Sequence, residues 1–154
     1  MIEFSVGMSS YGPLITGLIG LFFAFVLYGL IMRYPAGKSS VVKIGDQIHL
    51  GAKVFMFTEY KILAPVVIVL IVACGLSPLG WYTALAIGVG ALSSAIAGFI
   101  GMYSATKANV RTATAAENSG KEQALSISFF GGSIMGLCVA SMGLVGLGGL
   151  FFYF

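Results

Sequence analysis

An all-α integral membrane protein with four transmembrane helices is the fold class that three features of this 154-residue chain predict. Hydrophobic residues make up 58% of it and charged residues only 8%, whereas a soluble domain carries a charged shell of about a quarter of its residues. The mean hydropathy is +1.02. Four apolar stretches are each long enough to cross a hydrocarbon core about 30 Å thick, which takes about 20 helical residues. Runs of this length read as helices, because in lipid a helix satisfies its own backbone N–H and C=O groups. Barrel strands would alternate polar and apolar positions, and these stretches do not.

The first span is expected from Pro13 to Met32, ended by Arg33. Its leader is acidic, with Glu3, and its core exceeds that of a secretory signal peptide, so it reads as a retained span. A connection follows over residues 33–53. Within it Ser39 and Ser40 could cap a helix start, and Val41, Ile44 and Ile48 stand at helical spacing. Such a helix either lies on the membrane surface or leads directly into span two. An amphipathic approach with lysines among the headgroups is a simpler reading of it than a ligand site.

Span two is expected over residues 54–76, with Glu59 and Lys61 in its opening turns and no charge from Ile62 onward. Ser77, Pro78, Leu79 and Gly80 then form a tight break, since proline fixes φ and removes a donor while glycine permits the turn. Span three covers residues 81–104, a second connection residues 105–123, and span four residues 124–150. The final Phe151-Phe152-Tyr153-Phe154 reads as an interfacial aromatic belt or as a truncation point.

Charge placement predicts the orientation. Arg33, Lys38, Lys43, Lys53 and Lys61 lie in or beside the first connection, and Lys107, Arg111 and Lys121 in the second; these are all eight lysines and arginines. The break at residues 77–80 has none. The positive-inside rule therefore places both basic loops in the cytoplasm and both chain ends outside. The formal +3 charge is a topological marker, and nucleic acid is not an expected partner.

Small residues predict how the spans pack. Gly90, Ser94 and Gly98 recur every four positions in span three, and Gly132, Gly136 and Ala140 do so in span four; each stripe would let a neighbouring backbone approach closely. A substrate channel along them is disfavoured, because a pathway normally carries an ionisable residue at mid-depth and none is present. Glu59 and Lys61 read as interfacial anchors, and His49 as a solvated or interfacial histidine. Lys107, Asn109 and Arg111 could contact an anion or cap a neighbouring helix, with phospholipid headgroups the simplest partner. Cys74 and Cys138 read as small hydrophobes whose depths argue against a disulfide.

No catalytic, cofactor-binding or metal-binding residue is assigned. The glycines near residues 98–101 and 131–132 lack a following Gly-Lys-Ser/Thr, so they are no phosphate-cradling loop. Asp46, Glu59, Glu117 and Glu122 show no ligand-like spacing, while a Mg²⁺-polyphosphate site needs several converging carboxylates. From these residues alone a stand-alone four-helix scaffold or assembly protein without enzymatic activity stays open, with a transporter a weaker third reading.

Residues 101–113, Gly-Met-Tyr-Ser-Ala-Thr-Lys-Ala-Asn-Val-Arg-Thr-Ala, strongly resemble the connection between the third and fourth spans of membrane-bound, ion-translocating inorganic pyrophosphatases. Ile-Gly-Asp-Gln-Ile-His-Leu-Gly-Ala-Lys-Val-Phe-Met-Phe-Thr-Glu-Tyr-Lys, residues 44–61, is similar to that family's approach to its second span. Ala-Leu-Ser-Ile-Ser-Phe-Phe-Gly-Gly-Ser-Ile-Met-Gly-Leu, residues 124–137, is similar to its fourth. Departures are local: Lys53 stands where a small or apolar residue is expected, and Ser141-Met142 where the family tends to have Gly-Leu.

The resemblance implies a multi-pass pump of a plasma or prokaryotic inner membrane. It would couple hydrolysis of cytoplasmic pyrophosphate to export of H⁺ or, in some relatives, Na⁺, with Mg²⁺ as cofactor and a homodimer as the working form. It also implies that the residues present form an outer-ring scaffold. The pyrophosphate site, ion gate and any K⁺ dependence would belong to acidic motifs after the fourth span, so no catalytic residue transfers to this chain, and the chain alone is expected to be inactive.

Overall fold

The computed structural model describes the backbone of residues 2–153 and the side chains of residues 11–151. The Glu3 side chain and most of the terminal aromatic run therefore lie outside the described residues. Four helices follow one another: α1 (Ile2–Met32), α2 (Ser39–Leu76), α3 (Gly80–Asn118) and α4 (Lys121–Tyr153). All four are long and apolar enough to cross a membrane, and no strand occurs among the described residues.

Helix lengths decide the overall shape. α2 has 38 residues and α3 has 39, which at about 1.5 Å per residue makes each nearly 60 Å long. Their apolar parts meet at the tight turn of residues 77–80, so the surplus length emerges at the opposite end, the basic one. The segment from Ser39 is one continuous helix with span two and not a separate surface helix. Its start differs from the expected cap: Lys38 holds the N-cap position without a side-chain cap, and Ser39 and Ser40 lie inside the first turn. Likewise α3 stays helical to Asn118, because the alanines of residues 105–118 favour a helix and Thr106, Arg111 and Thr114 find protein partners there.

Each connection turns on one glycine with positive φ: Gly37 at 88°, Gly80 at 77° and Gly120 at 90°, a backbone region that other residues enter only at a cost. At the 77–80 turn the Ser77 hydroxyl donates to the Cys74 carbonyl at 2.8 Å and accepts from the Leu79 N–H at 3.2 Å. The break expected there is thus built by its serine as well as by its proline and glycine.

The helices form an arc in the order α1, α4, α3, α2, with a slight touch between α1 and α3. α4 is the hub. Its buried positions are Ala124, Ile127, Gly131, Ile134, Cys138, Ser141 and Gly148, a repeat of three and four residues that keeps one seam facing α1 and α3 as in left-handed helix packing. Ile31, Ile127 and Ile134 are fully enclosed. Along α3 the matching seam is Ala97, Gly101, Ser104, Ala108, Arg111 and Ala115.

These seams correct the expected small-residue stripes. Gly132, Gly136 and Ala140 are exposed, and nothing approaches Gly90. Between α3 and α4 the glycines that admit a close neighbour include Gly101, against Met135, and Gly131, against Ala108, while Gly148 admits Leu14 of α1. Gly17 and Gly20 of α1 face Ser141, which accommodates the departure at that position. Gly98 turns to α2 instead, towards Tyr60 and Met56. A four-residue spacing fits two adjacent helix faces about equally well, so only the neighbour's position separates them.

α2 packs differently. It touches α3 alone, and Gly45 is its one buried residue among those described. A side chain at Gly45 would collide with Val110.

Candidate functional site

The polar chemistry of the chain gathers at the basic end, in two clusters on α3. The first holds residues 34–38, the strap from α1 to α2. Arg111 is buried, its Nε donating to the Tyr34 carbonyl at 3.1 Å and one terminal nitrogen to the Lys107 carbonyl at 3.0 Å. Thr114 Oγ1 donates to the Ala36 carbonyl at 2.9 Å. That hydroxyl packs where a side chain on Gly37 would have to go, so the glycine supplies both the turn and the space. Lys38 pairs with Glu117 above them, where both side chains are largely exposed and the pair adds little.

Lys107, Asn109 and Arg111 had an anion, a lipid headgroup or a neighbouring helix end as possible partners, and Arg111 turns to the strap that follows α1. A guanidinium supplies five donors in a fixed fork, and here one goes to the Tyr34 carbonyl of the strap and another to the Lys107 carbonyl of its own helix. Lys107, one turn earlier, stays outside with its side chain 28% exposed, 3.9 Å from Asp46 of α2. Asn109 is exposed.

The second cluster joins α2 to α3. His49 Nδ1 lies 2.7 Å from Thr106 Oγ1, and that hydroxyl donates its proton to the Tyr103 carbonyl at 2.9 Å. The single Thr106 hydroxyl thus bridges the His49 imidazole of α2 and the Tyr103 carbonyl of α3. The imidazole stands edge-on to the Tyr103 ring, centroids 4.8 Å apart. His49 precedes the apolar stretch of α2, and partial burial holds its pKa below the ordinary 6.5, helped by Lys107 and Lys53 and opposed by Asp46. The histidine expected to be solvated or interfacial also makes a helix-to-helix contact. Deeper down, the Tyr60 hydroxyl donates to the Ala95 carbonyl at 2.5 Å, a link that no periodicity in the sequence announces.

Glu59 is half-buried and Lys61 exposed. Cys74 and Cys138 are free thiols. Among the described residues no three His, Cys, Asp or Glu side chains converge on a point that could hold a metal. The Mg²⁺ implied by the resemblance does not fit the donors present. Asp46 faces Lys107, Glu117 faces Lys38, and Glu59 stands thirteen positions from Asp46 on the same helix, about 20 Å away.

Comparison with known proteins agrees with the resemblance of residues 44–61, 101–113 and 124–137. A candidate K⁺-stimulated pyrophosphate-energised sodium pump of Clostridium tetani is 43% identical over 123 residues, covering 80% of this chain and 18% of that protein. A K⁺-stimulated pyrophosphate-energised sodium pump of Thermotoga maritima is 38% identical over 131 residues, 84% of this chain and 18% of the pump. A K⁺-insensitive pyrophosphate-energised proton pump of Methanosarcina mazei is 38% identical over 138 residues, 89% of this chain and 20% of the pump. The chain thus spans about a fifth of the length of the relatives it matches. Residues 18–154, which include α2, α3, α4 and the second half of α1, match the family model described as inorganic H⁺ pyrophosphatase, and the chain belongs to that family.

Proposed function

We propose that these four helices are a scaffold wall of a pyrophosphate-energised ion pump, and that they hold no part of its hydrolytic centre. The family match over residues 18–154 carries the pump reading. The scaffold reading is supported by the use of the buried polar groups: Arg111, Thr114 and Thr106 all bind backbone or neighbouring helices. Pyrophosphate would be the substrate, Mg²⁺ its cofactor and a homodimer the assembled form, each of them a property of the complete pump. The relatives include both sodium and proton pumps, and nothing in these helices separates the two.

The projecting ends of α2 and α3 would lie in the cytoplasm, as the eight basic residues favour. Two measurements test these readings. The purified chain should release no phosphate from pyrophosphate with Mg²⁺, and turnover above a buffer control would overturn the scaffold assignment. Cysteines replacing Lys43 and Lys121 should be shielded from a membrane-impermeant thiol reagent in intact cells, and labelling from outside would reverse the orientation.

A further inference from the structure

The Tyr103 ring is shared by two features that the scaffold reading leaves unused. On one side it closes an apolar groove of about 440 Å³ between α1 and α3, floored by α4 and lined among others by Leu21, Ala24, Phe25, Tyr28 and Ile100. That volume is within the range of ligand clefts, about 300–1,000 Å³. On the other side Tyr103 meets a basic cluster. Lys53 Nζ stands 5.9 Å from the ring centroid, His49 lies edge-on to the ring, and Lys107 rises one turn further along α3. Asp46 is the carboxylate that opposes them.

The position of this junction along the helices is informative. Lys53 stands one residue before the expected start of span two, and Tyr103 one residue before the expected end of span three. Both therefore stand at the rim of the hydrocarbon core, where tyrosine and lysine side chains reach the headgroup layer. From that rim the groove descends along α1 from Tyr28 to Leu21, towards mid-span. Positive charge at headgroup depth, separated from an apolar trough only by the Tyr103 ring, is the complement of one amphipathic molecule with an anionic head. A further transmembrane helix would fill the trough but would leave the basic cluster unmatched.

We propose that this junction is a binding site for an anionic glycerophospholipid, its phosphate held by Lys53 and Lys107 and an acyl chain lying in the Leu21–Tyr28 groove. His49 and Tyr103 form the wall between head and tail. Phosphate attraction contributes charge selectivity, and the groove contributes retention.

The site is tested by native mass spectrometry of the full chain in detergent, offered phosphatidylglycerol or phosphatidylcholine with identical acyl chains. One phosphatidylglycerol should be retained per chain, in clear preference to phosphatidylcholine. The Lys53→Gln/Lys107→Gln double variant should weaken that binding about thirtyfold, while Lys53→Arg/Lys107→Arg retains it. Ile100→Trp, at an exposed groove position, should remove the adduct by filling the trough, with helix content unchanged by circular dichroism. Equal retention of the two lipids, or binding indifferent to both the charge and the groove variants, would overturn the proposal. So would a dimer of the chain that forms in place of the lipid adduct, since the groove would then belong to a second copy.

Discussion

The contacts of α4 with α1 and α3 and the contact of α2 with α3 solve the same problem by different means. Around α4 the surfaces are apolar and small: Gly17 and Gly20 take Ser141, Gly101 takes Met135, and Gly131 takes Ala108. Between α2 and α3 the links are directional, with His49 on Thr106, Tyr60 on the Ala95 carbonyl and Lys107 near Asp46. Lipid supplies no hydrophobic drive between helices, so association must come from close packing or from interhelical hydrogen bonds. Close packing acts along a whole seam, whereas hydrogen bonds act at points and leave the rest of a helix free. α2 accordingly faces outwards along most of its length, and α4 does not.

The sharpest way to break this contrast is to add bulk at a seam glycine. Gly101→Leu should cost about 2–3 kcal/mol, because its side chain meets Met135, and should lower the unfolding midpoint in detergent clearly. Gly132→Leu, on the exposed face, should leave the midpoint nearly unchanged. Equal effects from the two would mean that the seam has been assigned to the wrong face of the hub.

Next in size is Arg111→Met, which removes the donor to the Tyr34 carbonyl while keeping an apolar stem. A loss of about 2 kcal/mol is expected for the buried, charge-assisted contact. It should appear locally, as faster proteolysis or thiol labelling within residues 34–38, with the α3 and α4 seam intact. Unchanged protection of the strap would show that Thr114 and Gly37 suffice to hold it.

The smallest effect sharpens the polar side of the comparison. Because the native pKa of His49 lies below 6.5, the helix pair binds its proton less readily than the separated α2 does. The α2 and α3 contact should therefore be strongest above about pH 6.5 and weaken as pH falls from there towards the lowered native value. A distance probe across the pair should follow that curve, and His49→Gln should flatten it. A contact that tightens on acidification would contradict the sign of the shift.

Much of this was legible beforehand, and the failures share a cause. Four spanning helices follow from apolar length, and the turn after Leu76 follows from Ser77, Pro78 and Gly80, all of them local properties. The family could be read from residues 101–113, the same residues in which Arg111 binds the strap at Tyr34 and Tyr103 and Thr106 meet His49. The stripes at Gly90 and Gly132 were misplaced because spacing defines a set of faces without saying which one is covered. Ser39 and Ser40 have good capping chemistry, yet the helix begins with Lys38 at its N-cap, where the strap pinned to α3 delivers the chain. The Tyr60 link joins residues 35 positions apart and had no local sign at all.

Composition and residue order by themselves determined that this chain spans a membrane four times as helices, that its basic residues gather at one end, and to which family it belongs. Those properties depend on transfer to lipid and on charge, which are summed residue by residue. Only the tertiary structure decided that α4 is the hub, that Arg111 turns inward while Lys107 stays out, and that Lys53 and His49 meet over Tyr103 at the head of a groove. Each of these depends on which helix lies beside which, a choice made by packing between distant parts of the chain.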